Sequence, residues 1–81
     1  MLEELKCTSA RTVGTKQTLK AIEKKQAKEV FIAKDIDEYI ARKIVEACEM
    51  SHLPITFVDS MKELGEACGI DVGAATAALL R

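Results

Sequence analysis

Few residues in this sequence suit catalysis or cross-linking. It has three cysteines, one histidine and one proline in 81 residues. Cys7, Cys48 and Cys68 are odd in number and widely spaced, and no CxxC pair occurs, which argues against a disulfide framework or a zinc site. Cys48 and His52 stand four apart and could share a helix face, but two ligands do not complete a structural zinc site. No metal and no cofactor are expected. His52 lies before Leu53-Pro54 with no nucleophile motif beside it. The carboxylate pairs Asp35/Asp37 and Glu46/Glu49 look like helix-start and solvated-face residues, and nothing marks a desolvated pocket around them. An enzyme is not expected. No apolar run approaches the ~18 residues a bilayer span needs. MLEELK carries acids where a secretory signal would carry bases, so a cytoplasmic location is expected, with no membrane partner.

Repeats, linkers and low-complexity tracts are also absent. What is present is 48% hydrophobic and 31% charged residues, enough apolar surface to offset the entropy of ordering. A chain of this length forms one domain, here residues 1–81, with an economical core. No long exposed apolar stripe suggests anything beyond a monomer.

Net charge is −1, yet the charges are unevenly placed. Residues 1–34 hold eight bases and four acids, whereas residues 35–81 hold four bases and nine acids. Such a split suits a basic face for a polyanion and an acidic face away from it; statistical scatter explains it about as well.

Leu2 and Leu5 suggest a short helix from Leu2 to about Ala10. From Thr15 to about Gln26, Leu19 and Ile22 share one helical face with lysines opposite. Thr15 is the expected N-cap, entered through Gly14. EVFIAK (Glu29–Lys34) reads as a strand. A long helix from Asp37, its N-cap, to about Met50 carries Ile36, Ile40, Ile44 and Cys48 in a core-facing row, ending at SHLP because a residue before proline leaves the helical region. ITFV (Ile55–Val58) is a short strand whose apolar run implies burial on both faces. Asp59 or Ser60 caps a helix carrying Met61, Leu64, Gly65 and Cys68, with Gly69 as its stop. The tail AATAALLR has high helix propensity. The preceding alternation of helix and strand calls instead for a strand at Thr76–Leu80, since two isolated buried strands make a poor sheet. The expected fold is α/β: a compact three-layer α/β/α sandwich with a small mixed sheet of about four strands.

Two stretches could carry chemistry. VGTKQTLK (Val13–Lys20) opens a helix at Gly-Thr. First-turn amides lack intrahelical partners and carry the positive end of the helix dipole, so an anion is welcome there. Lys16, Lys20 and Lys24 follow at four-residue spacing. Spacing alone favours an ordinary solvated face, and the Walker order Gly-Lys-Ser/Thr is missing. GIDVGAA (Gly69–Ala75) places Ile70 and Val72 in a glycine-bracketed loop, where they either tuck into the core or form an apolar contact edge.

GTKQTLKA, EVFIAKD and SMKELGEACGIDVGAA, in this order and spacing, resemble the kink-turn RNA-binding superfamily of ribosomal protein L-seven-Ae, and most closely its small bacterial YbxF-type members. The resemblance covers essentially the whole chain. It implies a non-catalytic protein that stabilises an RNA duplex bent at a three-nucleotide bulge beside tandem sheared G·A pairs. The partner would be ribosomal RNA, a riboswitch or a ribonuclease RNA, with ribosome association expected. The resemblance assigns the G·A pairs to Gly14, Thr15, Lys16, Gln17 and Lys20, and the bulged nucleotides to Ile70, Asp71 and Val72. Sheared pairing leaves guanine O6, N7 and N1–H free for Lys20, Lys16 and the Gln17 carbonyl. Arg11, Lys24 and Lys34 are candidate phosphate contacts that set register rather than sequence. Archaeal and eukaryotic members carry Asn-Glu where this chain has Lys16-Gln17. A neutral amide accepts a weaker bond than a carboxylate, so lower affinity and marked salt sensitivity are expected. The alternative is a protein-interaction adaptor on the same fold, working through the acidic half.

Overall fold

A computed structural model describes residues 2–81. Elements follow in the order α1 (Leu2–Cys7), β1 (Arg11–Val13), α2 (Thr15–Glu23), β2 (Ala27–Ala33), α3 (Glu38–Ser51), β3 (Ile55–Val58), α4 (Met61–Ala67) and β4 (Thr76–Leu80). The strands form one sheet in the order β1-β4-β2-β3. β2 and β3 are parallel, joined by α3, while β4 runs antiparallel to both β1 and β2. The tail is therefore a strand, and a central one. Tertiary need overrides its helix propensity because β4 supplies hydrogen-bond partners to strands on both sides.

Alternation along the strands splits the core into two layers. Val30 and Ile32 of β2 and Ala78 of β4 face α2 and α3, packing with Ala21, Ile22, Ile44 and Cys48. Phe31, Ala77 and Leu79 face the other way, onto Leu5, Leu64, Ala67 and Cys68. This is the three-layer sandwich with a mixed sheet. Each large side chain fully buried here, such as Phe31 or Ile44, contributes roughly 1.5–3 kcal/mol through the hydrophobic effect. Leu5 is buried; the side chain of Leu2 lies outside what the structure describes.

Several expectations need correction. The first helix ends at Cys7, and Arg11–Val13 is a strand that three residues of sequence do not announce. α2 ends at Glu23 rather than Gln26, because Lys25 turns into the left-handed region at φ 59. β2 begins at Ala27, two residues before the expected start. ITFV is a strand at its expected bounds, but it is the sheet edge, so Phe57 stays 51% exposed instead of buried on both faces. α3 and α4 start as expected: the Asp37 side chain accepts from Tyr39 N–H, and Ser60 accepts from Glu63 N–H. Gly69, at φ 75, follows α4. Cys48 and Cys68 are buried. Burial pushes the Cys48 thiol up to about 11. It also raises Cys68, partly opposed by the Arg11 guanidinium.

Candidate functional site

Sheet register brings the two singled-out stretches to one pole. Val13 pairs with Ala77 and Ile32 with Thr76, so the end of β1, the end of β2 and the start of β4 are level. Gly14 N–H donates to Thr76 O at 2.8 Å, and Ala33 N–H donates to Ala75 O at 2.9 Å. The Gly-Thr helix start thus lies against the strand that the GIDVGAA loop enters. Beneath them, the buried Thr76 hydroxyl meets the Thr18 hydroxyl at 3.3 Å, tying α2 to β4. Sequence reasoning misses Thr18 as a core residue; polar type conceals a position that the helical face, with Ala21 and Ile22 also buried, makes internal.

The expected cap is displaced by one residue. Gly14 is the N-cap of α2, with φ 101 and ψ 152, and no side chain caps the helix. Thr15 instead begins the helix. That backbone region is open essentially to glycine alone, which is why Gly14 stands there. Of the four helices described, only α2 has no acid in its first turn. Its first amides are therefore neither capped nor neutralised, and Lys16, Gln17 and Lys20 are exposed beside them. The chemistry on offer is hydrogen-bond donation and positive charge, with one amide side chain that can also accept.

Both outcomes foreseen for the apolar loop occur, divided between its residues. Ile70 packs against the core, whereas Val72 is 71% exposed and Asp71 is exposed. The loop is pinned to α4 at two points: Ile70 N–H donates to Gly65 O at 3.1 Å and Ala74 N–H to Met61 O at 3.0 Å. Gly65 lets the two approach. A Cβ there would overlap the Val72 carbonyl oxygen and stand 3.1 Å from its carbon. Spacing marks Gly65 only as part of the core stripe. Its further signal in the sequence is a glycine inside a helix, which costs about 1 kcal/mol relative to alanine and so asks for a reason.

The three candidate phosphate contacts are placed differently from one another. Lys24 is exposed at the end of α2, beside Gln17 and Lys20 along a shallow concavity. Lys34 follows β2 at the Gly14 pole and makes an exposed pair with Asp59 at 3.2 Å, worth little in water. Arg11 does not present its charge outward. Its guanidinium donates to the carbonyls of Leu5 and Thr8 and, at 2.7 Å, of Cys68, clamping α1 and α4 to β1. Arg11 accordingly has a structural role, its guanidinium engaging carbonyls of the last turn and ends of α1 and α4, where helix carbonyls lack intrahelical partners.

Among the described residues no cluster of three or more His, Cys, Asp or Glu could hold a metal, and no helix is long and apolar enough to cross a membrane. Fold and site together define a small α/β/α domain that presents a basic, uncapped helix start beside an apolar loop. The chain belongs to the Ribosomal protein L7Ae/L30e/S12e/Gadd45 family, whose model matches residues 2–81. It is 56% identical over 72 residues to an RNA-binding protein of Caldanaerobacter subterraneus subsp. tengcongensis, covering 89% of this chain and 88% of that one. It is 49% identical over 69 residues to RNA-binding protein YbxF of Geobacillus stearothermophilus, covering 85% and 84%. Among solved structures, the Giardia lamblia 15.5kD RNA binding protein superposes with a TM-score of 0.88 at 28% identity, covering 99% of this chain and 68% of that one.

Proposed function

We propose that this protein is a non-catalytic RNA-binding domain that recognises kink-turns and holds its RNA in the kinked conformer. The observation that carries this is the shared pole: the uncapped start of α2, with Lys16, Gln17 and Lys20 exposed, lies one hydrogen bond from the strand that follows the Val72 loop. Family membership and relatives named as RNA-binding proteins support RNA as the ligand. A-form RNA hides its base edges in a deep groove, and a kink with sheared G·A pairs exposes them. Lys20 and Lys16 would donate to guanine O6 or N7, the Gln17 carbonyl would accept from N1–H, and Val72 would lie against an unstacked base. Preferential binding of the kinked form then shifts the RNA toward it.

The test is a titration of the protein against a kink-turn RNA and a control with its G·A pairs changed to Watson–Crick pairs. Specific recognition predicts a clear preference for the first; equal affinity defeats it. Gln17→Ala and Lys20→Ala should each lose about 1–3 kcal/mol on the kinked RNA, in line with other good base contacts. Wild-type binding by both variants would move the site elsewhere.

A further inference from the structure

Resting on that RNA reading, we propose that the nucleic-acid surface runs along α2 to the opposite pole of the sheet, where a second basic concavity holds the sugar–phosphate backbone of the flanking RNA stem. The far concavity, about 350 Å³, presents Lys25, His52 and Arg81 over an apolar wall that includes Ile22, Met50 and Leu53. No acid lines it. The concavity beside α2, about 220 Å³, is lined by Gln17, Lys20, Lys24 and Gln26, again with no acid. Lys24 and Lys25, Gln26 and Ala27, and Leu80 and Arg81 are neighbours in the chain, one of each pair in each concavity. The two therefore adjoin and form one track leading from the Gly-Thr pole.

Charge singles this track out. The protein has 13 acids against 12 bases, and the third concavity, beside the Val72 loop, holds Asp35, Glu66 and Asp71 against Lys62 alone. Two adjoining concavities lined by four lysine or arginine side chains and His52, with no Asp or Glu, are suited to an anion. Arg81 is held by its backbone, with N–H donating to Gln26 O at 2.8 Å, and by Nε donating to Ala27 O at 3.4 Å. Its terminal nitrogens remain available to a phosphate. Met50, 85% exposed, gives a soft apolar surface for a ribose. Nine residues of α2 extend about 14 Å. That distance is long enough to follow several nucleotides of a stem.

The experiment measures binding against salt concentration for two kink-turn RNAs, one with flanking stems of about three base pairs and one of about ten. The variant is Lys25→Asn with Arg81→Gln, asparagine being tolerant of the left-handed backbone at residue 25. Every phosphate that the protein ceases to neutralise lowers the slope of log affinity against log salt by about 0.7–0.9. On the long-stem RNA the double variant should lower the slope by between about one and two, and on the short-stem RNA it should leave the slope unchanged. Lys43→Gln, away from the track on α3, should change neither slope. A wild-type slope for the double variant on the long-stem RNA overturns the proposal, as does an equal drop on both RNAs. Arg81→Gln alone serves if the double variant unfolds, with about half the drop expected. Loss of preference for the kink-turn over its Watson–Crick control would instead defeat the proposed function, and the slope comparison would still decide whether the far concavity holds the stem.

Discussion

Gly65→Ala tests whether the apolar loop belongs to the binding surface. The new methyl would overlap the Val72 carbonyl oxygen and lie 3.1 Å from its carbon and 3.2 Å from Gly73 Cα. Carbon atoms settle at about 3.5–4.0 Å, so the loop must retreat by on the order of 1 Å. It cannot slide away whole, because its ends are hydrogen-bonded to Gly65 O and Met61 O on α4. Two effects oppose each other in stability. Alanine gains about 1 kcal/mol of helix propensity, while overpacking costs about 1–3 kcal/mol. Residues 71–73 are exposed and can yield, so the net loss should stay within about 2 kcal/mol. That corresponds to a fall in Tm of up to roughly 8–16 °C for a domain of this size. The loop, however, would no longer present Val72 where a base could meet it. Affinity for a kink-turn RNA should fall about tenfold, equivalent to about 1.4 kcal/mol, measured by fluorescence anisotropy on the folded variant. Wild-type affinity with a displaced loop, seen as shifted amide resonances from Ile70 to Gly73, would refute a binding role for the loop.

Other predictions follow from buried polar groups and buried thiols. Thr18→Val leaves the Thr76 hydroxyl buried without its partner and should cost about 1–3 kcal/mol. The double Thr18→Val/Thr76→Val should lie closer to wild type, read by urea denaturation. Gly14→Ala forces a side chain into a glycine-only backbone region and should cost about 1–3 kcal/mol, visible as a lower Tm. Cys48 holds its proton to about 11 in the fold against an ordinary 9.0. The unfolded thiol ionises first as pH rises, so the folded state binds more protons and loses stability between about pH 9 and 11. Urea titrations at pH 8 and 10.5 should show a smaller loss for Cys48→Ala than for wild type. At pH 8 a thiol alkylating reagent should label exposed Cys7 in the native protein. Cys48 and Cys68 should label only after unfolding, as read by mass spectrometry.

Legibility in the sequence tracks how local each cause is. Asp37 and Ser60 announce their helices because a cap is settled by one side chain and an amide two or three residues on. ITFV declares itself a strand through its β-branched and aromatic content. The Gly-Thr start and the GIDVGAA loop stand out because each breaks a local habit, a glycine before a helix and apolar residues in a loop. Arg11 is legible only in its charge, because the Cys68 carbonyl that engages its guanidinium lies 57 residues away. Phe57 misleads: its strand is the sheet edge, where cover is incomplete on the face Phe57 occupies, while Val58 on the other face is buried.

The sequence by itself determined the four described helices, the strands around EVFIAK and ITFV, the two core-facing helical rows, the basic face of α2 and the uneven charge, most of which rest on neighbours within a turn or two of chain. Tertiary structure alone decided that Arg11–Val13 is a strand, that the expected tail strand lies inside the sheet, that Gly14 rather than Thr15 caps α2, that β3 is an edge, and that Gly14 meets Thr76 across 62 residues of chain. It also decided that Gly65 seats the Val72 loop. These depend on which strands exchange hydrogen bonds and on how closely two backbones approach. Such contacts are chosen by the packing of the whole chain, where central β4 must satisfy partners on both sides at once.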